Sequence, residues 1–173
     1  MSYKVDLLKI HLAALLCAFA SGCVSVGHFS NSTASKIATL EVRMTEVPTH
    51  FWFYRNGIDC TGGIDVFRGE TLASFVAGTA QPLVIEANKE LAIEVDGRFH
   101  SPLRYCSLTI SFFPETSGRY RVYFSKDTKN GPVCGLRVTR LFDEGGAVRE
   151  VPDPSFKRRV GTQTATGWAC VPL

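Results

Sequence analysis

Six cysteines and four histidines are the side chains of this 173-residue chain with the greatest reach into covalent or metal chemistry. Cys60, Cys106, Cys134 and Cys170 lie 46, 28 and 36 residues apart. No C-x-x-C pair occurs among them, so neither a zinc ribbon nor a thioredoxin-type dithiol fits. His28, His50 and His100 lack the H-x-x-x-H spacing that would put two imidazoles on one metal. There is no G-x-S-x-G elbow, phosphate-binding loop or dinucleotide-binding glycine pattern. Asp59 with Asp65, and Glu115 with Asp127, are the carboxylates whose meeting in space would suggest acid–base work; solvated loop carboxylates are the commoner case. Lys157-Arg158-Arg159 is a compact cationic run that could meet phosphate-rich headgroups or an acidic partner. The expectation is structural cysteines, no metal, no cofactor and no enzyme.

Those residues need a scaffold, and period-two alternation supplies one. Leu40, Val42 and Met44 share a face against Glu41 and Arg43; Phe51-Trp52-Phe53-Tyr54 is an aromatic strand. Leu83–Glu86 and Leu91–Val95 flank Ala87-Asn88-Lys89-Glu90 and read as a hairpin. Cys106, Leu108, Ile110 and Phe112 face one way, as do Tyr120, Val122 and Phe124, then Cys134, Leu136 and Val138. Short alternating runs broken by turn residues predict an all-β domain of about eight strands, an antiparallel β-sandwich of immunoglobulin-like or related type, over residues 37–173. The one helix expected is a turn or two after Asp153, with Pro154 at its first position.

The cysteines then read as two staples. Strands 106–112, 119–125 and 134–140 form a meander in this reading, with Cys106 and Cys134 two strand spacings apart. That is about 9.6 Å, beyond the roughly 4.4–6.8 Å that a disulfide tolerates between Cα atoms. Cys60–Cys106 and Cys134–Cys170 are therefore favoured. A meander that bends between two sheets would instead permit Cys106–Cys134.

The N-terminus fixes an address. Lys4 and Lys9 precede an apolar run from Leu12 to Ala20, too short to cross roughly 30 Å of hydrocarbon as a helix. It ends in Ala20-Ser21-Gly22-Cys23, which resembles the lipobox of bacterial lipoproteins. The resemblance implies cleavage after residue 22, acylation of Cys23 and a membrane held through lipid. Val24 in place of Asp implies, in that family, the outer membrane. The alternative is a cut after Ala18-Phe19-Ala20 that releases a soluble periplasmic protein. With Cys23 acylated, an even four cysteines remain to pair. Residues 23–36 are small and polar enough to be a tether.

Phe113-Pro114-Glu115-Thr116-Ser117-Gly118-Arg119-Tyr120 resembles the tyrosine corner of immunoglobulin-like sandwiches, though a plain core aromatic after a turn reads equally well. The same phrase is similar to small β-rich envelope lipoproteins with no assigned activity. A net charge of +3 is too mild to argue for nucleic acid. The function expected is a non-catalytic binding or structural module of the envelope, meeting an envelope protein or lipopolysaccharide. The alternative is an inhibitor or immunity lipoprotein directed at a cell-wall hydrolase or toxin. Asn56–Gly63, Asp96–Arg104 and Lys126–Pro132 are the candidate recognition loops.

Overall fold

A computed structural model describes residues 27–100, 103–127, 133–164 and 167–173, so the expected signal segment and Cys23 lie outside the described residues. The chain forms two sheets packed face to face, as alternating apolar runs require. The strands are β1 (Gly27–His28), β2 (Ile37–Met44), β3 (His50–Asn56), β4 (Thr61–Phe67), β5 (Leu83–Glu86) and β6 (Leu91–His100). They continue as β7 (Leu103–Phe112), β8 (Arg119–Asp127), β9 (Val133–Glu144), β10 (Ala147–Pro152), β11 (Lys157–Thr164) and β12 (Gly167–Pro172). The single helix among the described residues is α1 (Glu70–Ala77). The seven-stranded sheet runs β1-β4-β3-β6-β7-β11-β12 and the five-stranded sheet β10-β9-β8-β2-β5.

Alternation assigned the inward faces well. Leu40, Val42, Phe51, Phe53, Ile93, Val95, Ile110, Phe112, Val122 and Phe124 are all buried in one core. Pairing partners followed a different logic. β5 and β6 are not a hairpin: β5 pairs with β2, while β6 joins β3 and β7 in the other sheet. Residues 87–90 instead cross between sheets, with Asn88 at positive φ and its N–H donating to the Pro114 carbonyl at 2.7 Å. The meander also breaks, because β7 lies in the larger sheet and β8 and β9 in the smaller. β8 is parallel to β2, from Thr39 opposite Arg119 to Met44 opposite Phe124.

The break in the meander decides the disulfides. Cys106 and Cys134 face each other across the two sheets with Cα atoms 6.4 Å apart, and they are bonded. Cys60 bonds Cys170, Cα to Cα 5.3 Å. The favoured Cys60–Cys106 and Cys134–Cys170 pairing is therefore corrected. The strand-spacing argument holds only within one sheet, and these strands lie in two. β11 follows β7 over Lys157–Arg159 and then pairs only with β12. The ribbon they make crosses the outer face of the larger sheet, where Cys60 and Cys170 enclose a second small core with Tyr54 and Ala92.

Two further corrections follow. No helix starts at Asp153; its carboxylate accepts from the Ser155 N–H at 2.9 Å in a tight turn that leads into β11. The helix lies at Glu70–Ala77, where Gly78 ends it in the left-handed region at φ 70°. Leu72 and Phe75 lie on one face of α1, and Phe75 packs on Phe67 and Phe51 with ring centroids 5.2 and 6.0 Å away. The proposed tether is also shorter than expected. Phe29 stacks on Phe67 at 5.1 Å, and the Ser32 N–H donates to the Val84 carbonyl at 2.9 Å, so chain from residue 27 onward belongs to the domain.

The Tyr120 phenol accepts the Glu115 N–H at 2.8 Å, which is the reach-back of a tyrosine corner. Gly118 makes room for it: a Cβ there would lie 2.6 Å from the Tyr120 ring and 2.9 Å from the Glu115 carbonyl oxygen.

Candidate functional site

The outer face of the larger sheet carries a group of aromatic and acidic side chains. Because side chains alternate, His50, Trp52 and Tyr54 of β3 point away from the core that holds Phe51 and Phe53. Cross-strand register sets His50 beside Asp96, Trp52 beside Glu94, and Asp96 beside Ser107. The His50 and Trp52 rings stack at 4.7 Å, and His50 Nδ1 lies 4.0 Å from Asp96 Oδ2. Farther along, Tyr105 is 68% exposed with the Arg98 guanidinium 5.7 Å from its ring centroid. Asp96 Oδ1 is buried with no donor facing it among the described residues, which leaves an acceptor at the edge of this patch.

The patch ends where the second core begins. The Tyr54 hydroxyl donates to Glu94 Oε2 at 2.6 Å. Burial, then the hydrogen bond to Glu94, pushes that phenol far above its ordinary range, so it stays neutral and keeps donating.

Histidine, aspartate and serine on one face invite comparison with a nucleophilic triad, and the order is wrong for one. Asp96 stands between His50 and Ser107, so the imidazole is about two strand spacings, ~9.6 Å, from the hydroxyl it would have to deprotonate. Among the described residues no three His, Cys, Asp or Glu side chains converge on a metal position. His28 and His100 belong to the residues whose side chains are not described.

The carboxylate pairs do not assemble. Asp65 is held by Arg55 (Nη2 to Oδ2 2.7 Å), and Asp59 accepts from the Thr61 hydroxyl at 2.6 Å. Glu115 pairs with Arg140, a strand's length from Asp127.

The basic run separates for the same reason that β strands have two faces. Arg159 is buried on the outer face of the larger sheet, its side chain 3% exposed. It donates to Ser111 Oγ at 2.8 Å, to the Ile58 carbonyl at 2.7 Å and to Glu90. Its place in an anionic contact is corrected: it is a buried cross-link. Lys157 is exposed with its ammonium 3.5 Å from Glu90, while Arg158 points to the opposite side of β11. There it borders a cleft of about 360 Å³ with Leu108, Ile110, Leu136 and Val160. Alternation along an unrecognised strand separates Arg158 from Lys157 and Arg159, but nothing in the sequence marked Arg159 as the buried one of the three.

The outer face of the smaller sheet is a neutralised lattice. Arg121 binds Glu41 (Nη2 to Oε2 2.6 Å) and Glu150, and Arg119 reaches Asp143 at 2.6 Å. Arg137 rests 4.9 Å from the Tyr123 ring centroid.

The three candidate loops divide between two ends of the sandwich. Asn56–Gly63 lies at the end where the Gly57 N–H meets the Glu90 carbonyl at 2.9 Å. The ends of Asp96–Arg104 and Lys126–Pro132 lie at the other, around Gly97, Cys106 and Cys134. The His50–Tyr105 patch opens toward that second end. The chain matches no protein-family model, and no curated protein or solved structure is similar to it.

Proposed function

We propose that this chain is a lipid-anchored bacterial envelope protein whose β-sandwich acts as a non-catalytic binding module, with His50, Trp52, Asp96 and Tyr105 as its recognition surface. The observation that carries the reading is this aromatic and polar patch on a stapled sheet. Tyr105 and Asp96 flank Gly97 and Cys106, and the Cys106–Cys134 bond fixes that point to the opposite sheet. An exposed Tyr105 and a half-buried Trp52 that packs against the second core, with polar groups at their rim, suit recognition of another protein at small entropic cost. The anchor is the Cys23 acylation implied by Ala20-Ser21-Gly22-Cys23.

The test has two arms. Cys23→Ala should abolish labelling by a fatty-acid analogue, and unchanged labelling overturns the anchor. From detergent-solubilised envelopes, the full chain should co-purify with an envelope protein that Trp52→Ala and Tyr105→Ala each release while circular dichroism stays unchanged. Equal recovery with both variants overturns the patch. Near-stoichiometric inhibition of a cell-wall hydrolase by the purified chain would replace the module with the inhibitor reading.

A further inference from the structure

We propose that the end of the sandwich carrying Ile58 and Phe113 rests on the membrane and touches anionic phospholipid, which turns the Tyr105 patch away from the bilayer. The proposal rests on acylation of Cys23 and adds an orientation to it.

The argument begins with the length of the leash. Cys23 stands four residues before Gly27, where β1 begins, so it lies within about 14 Å of that point however the chain runs. β1 is parallel to β4, with Gly27 opposite Asp65. Asp65 pairs with Phe53, and Phe53 with Ile93, so Gly27 is level with Ile93 across the sheet. From Ile93 the near end of β6, Leu91, is two residues away, about 7 Å; the far end, His100, is seven residues away, about 23 Å. Because β1 runs the same way as β4, the chain enters from the near end. A lipid on Cys23 reaches that end and falls short of the other.

The near end has the surface that a bilayer requires. Ile58, at the tip of the β3–β4 connection, is 66% exposed, and Phe113, just after β7, is 45% exposed. Hydrogen bonds tie these segments together: the Gly57 N–H donates to the Glu90 carbonyl, Asn88 to Pro114, and Ser117 to Ile37. Lys36 is exposed beside Ile37, and Lys89 and Lys157 keep half or more of their side chains in solvent while facing Glu86 and Glu90. Exposed apolar side chains at the same end as three lysines, two of them shared with glutamates, match an interface with acyl carbon below and phosphate at the level of the ammonium groups.

The acylated full chain would be placed in vesicles of phosphatidylethanolamine and phosphatidylglycerol with brominated acyl chains. Ile58→Trp and Phe113→Trp are compared with Val47→Trp, an exposed position between the far ends of β2 and β3. After subtraction of the parent signal, the near-end tryptophans should be quenched at least about twofold more than the far-end one, since bromine acts only at acyl depth. Lys89→Glu with Lys157→Glu should lower that quenching. Equal quenching at all three positions, or more at Val47→Trp, in a chain whose intact mass includes the acyl groups, overturns the orientation and leaves the anchor standing. An intact mass without acyl groups overturns both, and the mass alone distinguishes the two failures.

Discussion

The Arg159 guanidinium, buried on the outer side of the larger sheet, is bound to the Glu90 carboxylate from the turn where the chain crosses between sheets. It also holds Ser111 and the Ile58 carbonyl, so one side chain fastens β11 to β7, to the sheet crossing and to the β3–β4 connection. Glu90→Ala leaves that cation buried without its counter-charge and should cost about 3 kcal/mol in urea unfolding. Arg159→Met with Glu90→Gln should cost much less. Equal losses would show that the charge pair is not the source.

The same pair sets an acid limb. Burial works against charge on Glu90, but the Ser111 hydroxyl and Arg159 outweigh it and hold its pKa below the ordinary value. A carboxylate so lowered contributes stability that is complete above roughly pH 4.3 and is lost as the pH falls through the folded value. Stability measured between about pH 5 and 3 should therefore fall less steeply in Glu90→Gln than in the parent chain. Parallel slopes would contradict this.

Gly118 and Tyr120 give a paired prediction. Tyr120→Phe removes the acceptor of the Glu115 N–H and should cost about 1 kcal/mol. Gly118→Ala drives a methyl into the ring and the Glu115 carbonyl, and should cost about 2 kcal/mol. In the double variant the costs should not add, because both changes act on one contact.

The corner, the inward faces and the sandwich itself were legible because alternation and turn residues are local. Ile93 and Val122 each record which way they point and nothing about the strand that lies beside them. That is why β5 and β6 read as a hairpin, and why Cys106 and Cys134 looked too distant to bond. Helix α1 escaped notice because eight residues with Leu72 and Phe75 on one face give a short 3.6-period signal. Arg159 was read as surface charge because β11 was not recognised as a strand. The aromatic patch was half visible: Trp52 stood out in the sequence, while its neighbours Asp96 and Tyr105 joined it only through register.

Non-reducing digestion should recover Cys60 linked to Cys170 and Cys106 linked to Cys134. Removing Cys106–Cys134 should cost about 4 kcal/mol and removing Cys60–Cys170 about 5, on loop-entropy grounds, since the second closes the longer loop. A Cys60 peptide linked to Cys106 would contradict the two-sheet path of the chain.

That connectivity has a consequence for biogenesis. A chain threaded through a membrane N-terminus first presents Cys60 and Cys106 to an oxidant before Cys134 and Cys170 have emerged. Joining cysteines in order of arrival gives Cys60–Cys106, and the native bond from Cys60 waits for the last few residues to be delivered. The native pairs are nested, one inside the other, so a Cys60–Cys106 bond made first would have to be undone by thiol–disulfide exchange before the native pairs can form.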